Sequence, residues 1–143
     1  MSVITDKEGI ITQVIGPVID VEFKAGEAPE INDSIEIIVD ENTKIIAEVQ
    51  QHLGENKIRS VAMSSTDGIK RGMKVINTGE PIKIPVGKGI LGRILNVLGE
   101  AVDNAGEIQA EEYLPIHRKS PTLIEQNTDI EILETGILFY KGW

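Results

Sequence analysis

The stretch PVGKGILGRILNVLGE, residues 85–100, sets Gly87, Gly89 and Gly92 at the G-x-G-x-x-G spacing with which glycine loops cradle a dinucleotide pyrophosphate. That chemistry needs a strand before the loop and a helix starting at it, because the N–H groups of the helix N-terminus bind the anion. Only RILNVL separates Gly92 from Gly99, a marginal length for a helix without strong caps, and Pro81 and Pro85 interrupt the preceding strand. The Gly87-Lys88 pair also imitates the phosphate loop G-x-x-x-x-G-K-[ST], but Ile82 stands where the first glycine belongs and Gly89 where the hydroxyl does. Neither phosphate reading holds.

The other reactive side chains are sparse. His52 and His117 are the only imidazoles, and neither has an Asp or Glu at ligand spacing. His117, in LPIHRKSP, reads as a packed or hydrogen-bonded structural residue. Glu111 and Glu112 are sequence neighbours that face different ways, so they form a solvated acidic turn and not a catalytic pair. Arg71, in DGIKRGM, could receive an anion, but pairing with one of the many carboxylates is the expected outcome. Phe139, Tyr140 and Trp143 sit in a terminal tail expected to fray. No residue is assigned a catalytic, cofactor-binding or metal-ligating role.

Composition narrows the classes further. The absence of cysteine in 143 residues excludes disulfides, thiolate metal sites and a cysteine nucleophile. Fourteen Lys and Arg against 23 Asp and Glu give a net charge of −9, spread over both halves of the chain. A surface this acidic repels phosphate backbones, and two Phe, two Tyr and one Trp offer few stacking platforms, so nucleic acid is not an expected partner. MSVITDKEG has no apolar core of signal-peptide length, and no window approaches the ~20 apolar residues of a membrane span. The expectation is a soluble, intracellular chain.

The elements that must position these residues read as short strands. Ile19, Val21 and Phe23 alternate with Asp20 and Glu22, the period of two that marks a half-buried strand. Ile35, Ile37 and Val39 alternate with Ser34 and Glu36; Ile45, Ala47 and Val49 with Lys44 and Glu48; Ile58 and Ala62 with Lys57 and Arg59. Val75 lies in a further run, and Asp40-Glu41-Asn42, Gly54-Glu55-Asn56 and Asp67-Gly68 supply turns. This texture predicts a small closed β-barrel. Gly16-Pro17 interrupts the first strand and reads as a bulge or bend at a barrel corner. Beyond Pro81, PIKIPVGKG reads as an edge strand or connector, RILNVLGEAVDNAG as one more strand entering a turn, and DIEILETGI as a last alternating run. Pro115 and Pro121 argue against a long helix in EEYLPIHRKSPTL.

Taken in order, ITQVIGPVIDVEF (11–23), EVQQHLGENKIRSVAM (48–63), TDGIKRGMKVINTGEPIKIPVG (66–87), LGRILNVLGEAVD (91–103), LPIHR (114–118) and ILETGI (132–137) resemble the N-terminal part of the F-type ATP synthase β-subunit family. QHLGENKIRSVAM and GRILNVLGEAVD are similar to β and not α, although Ala101 replaces a usual proline. The resemblance implies a mainly β chain: a six-stranded barrel domain over 1–81, then over 82–143 a connector and the incomplete start of an α/β P-loop nucleotide-binding domain. It implies α subunits and other β subunits as partners in a hexameric ring, no direct membrane insertion, and a cytoplasmic location or one peripheral to the inner face of an energy-coupling membrane. In the family, segment 85–100 is a connector; Gly87, Gly92 and Gly99 match family positions and Gly89 does not.

In the family a helix and the P-loop follow ETGI, and ATP, ADP and Mg are bound by residues beyond it. This chain instead reads Leu138-Phe139-Tyr140-Lys141-Gly142-Trp143, so no such residue carries over, and a truncated or frame-shifted product without ATPase activity is expected. The alternative is a free-standing barrel that binds α- or β-type subunits without catalysis. In either case Ile90, Leu91, Ile94, Leu95, Val97 and Leu98 are expected to be partly exposed.

Overall fold

The computed structural model describes residues 7–126; the run DIEILETGI (129–137) and the aromatic tail to Trp143 lie outside them. Six antiparallel strands close into a barrel: β1 (Lys7–Ile15), β2 (Val18–Phe23), β3 (Asp33–Ile38), β4 (Lys44–Gly54), β5 (Lys57–Ala62) and β6 (Lys74–Pro81). Their order around the wall is β1-β2-β5-β4-β3-β6, and β6 pairs back onto β1 through Gly9↔Val75. Every barrel strand therefore has two neighbours, which removes the unpaired edges that an open sheet presents.

The alternation decides which side chains fill the interior. Ile19, Val21, Ile35, Ile37, Ala47, Val49, Ile58 and Val75 have no exposed surface, and Ile11, Phe23 and Ile45 are nearly as buried. Each such aliphatic contributes about 1.5–3 kcal/mol on burial, so a one-residue slip of any strand forfeits several kcal/mol. Register is correspondingly firm. Val21 faces Ile58 across β2 and β5, and Ile35 faces Ala47 across β3 and β4.

Two local devices adjust the pattern. A bulge between Ile11 and Gln13 switches the inward parity of β1, so that Gly9 and Ile11 point in before it and Val14 packs against the core after it. Gly9 is a place of close approach: a Cβ built there lies 2.8 Å from the Phe23 ring. Gly16-Pro17, expected as a bulge or bend at a barrel corner, is the two-residue turn joining β1 to β2. Gly16 takes φ +56° at the first central position, where a type II′ hairpin requires glycine, and proline's fixed φ suits the second.

After the barrel, β7 (Lys83–Val86) and β8 (Glu112–Pro115) form a separate two-stranded antiparallel sheet, with Ile84 opposite Leu114. The edge strand expected at PIKIPVGKG is β7. RILNVLGEAV does not form a further strand; a single bridge, Leu95↔Ala101, closes a tight turn there. Its cause is Asn96, whose Oδ1 accepts the N–H groups of Leu98 at 3.0 Å and Glu100 at 2.9 Å. Among the described residues no buried side-chain polar atom lacks a partner.

Candidate functional site

The glycine loop is shaped by its own chain. Lys88–Ile90 make one turn of 3-10 helix, with no longer helix behind it to focus a dipole. Gly87, at φ +116°, leads into that turn, and its missing side chain leaves room for Glu111, which a Cβ would meet at 2.7 Å. The backbone N–H of Lys88 donates to Glu111 Oε1 at 3.1 Å. Gly89 lies against the carbonyl oxygen of Gln109, where a Cβ would sit 2.0 Å away. The space a phosphate would need is thus filled by an internal carboxylate and an internal carbonyl. A pyrophosphate does not fit, and no group of His, Cys, Asp or Glu among the described residues could hold a metal ion.

Gly89 is therefore structurally required, a role that its spacing within a phosphate fingerprint concealed. The signal that could have found it lies in no motif, because Gln109 is 20 residues away and meets it only through the pairing of β7 with β8.

The remaining candidates separate. His52 is exposed on β4. His117 is hydrogen-bonded, as its surroundings suggest: its Nε2 lies 3.0 Å from Glu48 Oε2. Glu48, on the barrel wall, is only 7% exposed, and its Oε1 accepts a 2.5 Å bond from Gln50 Nε2. That buried carboxylate was not legible from its place in an alternating run. Glu111 serves the loop, whereas Glu112 is an exposed member of β8. Arg71 departs from expectation: exposed beside Lys70, it forms no ion pair among the described residues.

A second polar centre follows the barrel. Arg93 grips Asp103 through Nε at 2.7 Å and Nη2 at 3.0 Å, and also donates to the carbonyls of Gly106 and Glu107. The Arg93 guanidinium, with the N–H groups of Ala105 and Ile94, holds the Asp103 carboxyl far below the usual carboxylate range. Both side chains are satisfied within the turn, which makes this centre a brace and leaves it no free valence for a ligand.

The substantial offerings of the molecule are therefore surfaces, and the barrel is the larger. Residues 11–79 match the sequence family described as the ATP synthase alpha/beta family, beta-barrel domain. Over those residues the barrel matches the barrel domain of the ATP synthase alpha/beta family. The matched span runs from within β1 to within β6, so the family pattern and the closed wall coincide. On this alpha/beta-family barrel the outer wall is laced by cross-strand ion pairs: Lys44–Glu36, Lys57–Glu22, Arg59–Asp20 and Lys74–Glu8. Arg59 is bidentate on Asp20, with both contacts at 2.8 Å, and covers a carboxylate that is only 6% exposed. Ile10, Ile15 and Leu53 stand out of the same wall, exposed, as does Ile31 in the turn before β3.

Beyond the barrel the apolar surface is larger. None of Ile90, Leu91, Ile94, Leu95, Val97 and Leu98 is buried, as expected, and Leu91, Ile94 and Val97 are exposed, together with Val102 and Tyr113. No helix among the described residues is long and apolar enough to cross a membrane.

Proposed function

We propose that this chain is an N-terminal portion of an ATP synthase β-type subunit, and that its barrel serves assembly of a ring with α-type and other β-type subunits. The observation that carries the reading is the closed six-stranded wall lying under the family match at residues 11–79. The choice of β over α rests on the resemblance of QHLGENKIRSVAM and GRILNVLGEAVD. In this reading residues 1–81 are the oligomerisation domain and 82–143 open the nucleotide-binding domain. The apolar residues from Leu91 to Val102 then face a part of the subunit that follows. ATP, ADP and Mg belong to the full subunit, which would make ATP with a transmembrane ion gradient while lying peripherally on the inner face of the membrane.

The test is co-expression of the chain with the α-type subunit of the same genome, followed by affinity capture and native mass spectrometry. A complex containing both chains is expected; α-type subunits that emerge alone at every ionic strength refute the assembly role. ATP turnover by the purified chain is expected to match a mock preparation, since phosphoryl transfer needs amides, a lysine and metal ligands that no described residue provides. The second reading, a free-standing interaction barrel, shares the binding outcome. It is favoured if expression of the chain alongside intact subunits depresses assembly of the complete ring.

A further inference from the structure

The loop between β5 and β6 holds two adjacent cations, Lys70 and Arg71, whose side chains form no ion pair among the described residues. Elsewhere on the wall the cations of β4, β5 and β6 meet carboxylates across the strands. The nearest acid in sequence, Asp67, is turned aside: its Oδ2 accepts from Ser65 Oγ at 2.7 Å. In a chain of net charge −9, two neighbouring cations that meet no carboxylate among the described residues are conspicuous.

They are also held in place. Gly72 N–H donates to the Ile11 carbonyl at 2.8 Å, and Ile11 N–H donates to the Met73 carbonyl at 3.0 Å. These bonds fasten the loop to β1 at the edge of its bulge, and Lys70 N–H donates to Met73 Sδ at 3.3 Å. Lys70 and Arg71 thus line, with Thr12, Gln13, Val14 and Ile69, an open recess of about 480 Å³. The loop's ordering entropy is already spent, which favours a contact made by rigid docking.

We propose that this recess is the receiving half of a barrel–barrel contact, taking a carboxylate-bearing face of a second ATP synthase alpha/beta-family barrel. The inference rests on the assembly role above and names the face that carries it. A ring requires a heterologous interface, in which a patch on one subunit meets a different patch on the next. A positive recess on an otherwise acidic barrel supplies the asymmetry: residues 1–80 of this chain carry 14 acidic against 8 basic side chains, so a barrel of this kind brings carboxylates to the recess. Arg71 offers a planar fork that receives a carboxylate through two parallel bonds, and Lys70 adds a point charge beside it.

The test measures binding of the full chain to the purified α-type subunit by calorimetry at low and high NaCl. Four proteins are compared: wild type, K70E/R71E, R71K, and K88E/K119E, which makes the same change in net charge outside the barrel. Wild type is expected to bind, with affinity falling as salt rises. K70E/R71E is expected to lose about 10-fold or more at low salt, R71K to keep most of the affinity and K88E/K119E to match wild type. Circular dichroism and melting should be unchanged in all four, because the substituted side chains are exposed. If wild type binds and K70E/R71E binds equally well, the recess is not the contact, although the assembly role stands. An equal loss in K88E/K119E also overturns the proposal, because net charge and not the recess then governs binding. Failure of wild type to bind at all overturns both.

Discussion

At Gly9 the barrel has no room for even one more carbon. The hydrogen of glycine leaves space for the Phe23 ring, which a methyl group would meet at 2.8 Å. Gly9→Ala is expected to destabilise the barrel by about 1–3 kcal/mol, the cost of overpacking a filled core, read as a lowered urea midpoint with an unchanged slope. Gly89 is constrained by backbone instead. Gly89→Ala sets a Cβ against the Gln109 carbonyl, so the loop at 87–90 and the segment at 109–111 must part. Faster proteolytic cleavage near Gln109, with the barrel's unfolding midpoint unmoved, is the expected outcome. Cleavage at the wild-type rate would show that the loop absorbs the methyl group.

The turn from Arg93 to Glu107 depends on one ion pair in place of a hydrophobic core. Because Asp103 is held below its ordinary range, its contribution is complete above the pKa of an unfolded aspartate, about 3.9, and is lost as pH falls through the depressed value. The amide signals of Ile94 and Ala105, which donate to Asp103, are therefore expected to keep their positions through pH 4 and to move only in stronger acid. Asp103→Asn should displace them at every pH. The same element shows where the sequence is legible and where it is not. Strands β2, β3 and β5 can be read directly, since period two and a buried face are one fact stated twice. The bulge after Ile11 and the turn at Gly16-Pro17 are harder, because the residues that decide them lie on partner strands. RILNVLGEAV carries strand-like aliphatics, but Asn96 captures the backbone first and Arg93 finds Asp103 ten residues on. Both partners lie in one short stretch, but no periodicity marks them as a pair. The candidate site fared likewise: the glycine spacing was visible, the carboxylate that fills it was not.

At the scale of the molecule, few bonds among the described residues join the barrel to the sheet that follows it. Beyond the chain itself, His117 to Glu48 links the end of β8 to the wall, and Ile116 N–H donates to the Ile82 carbonyl at 3.0 Å beside it. His117→Ala is expected to speed proteolysis within residues 112–126 several-fold. Barrel stability should fall by at most about 1–3 kcal/mol, the cost of leaving part of one buried carboxylate unsatisfied. A barrel that unfolds outright in this variant would mean that the downstream segment is part of its core, contrary to the burial pattern.

The pairing of β1 with β6 also sets a timetable. Lys7 must find Asn77 and Gly9 must find Val75, and neither partner exists when β1 leaves the ribosome. At ~5–20 residues per second, β1 waits on the order of 3–15 seconds for β6 to be made, with Ile11 beside an empty slot in the wall. The hairpin at Gly16-Pro17 lets β1 and β2 pair during that interval, but the interior cannot seal until the sixth strand arrives. Synthesis halted before Lys74 leaves an open sheet with two bare edges, and those nascent chains are the ones a chaperone would be needed to shield.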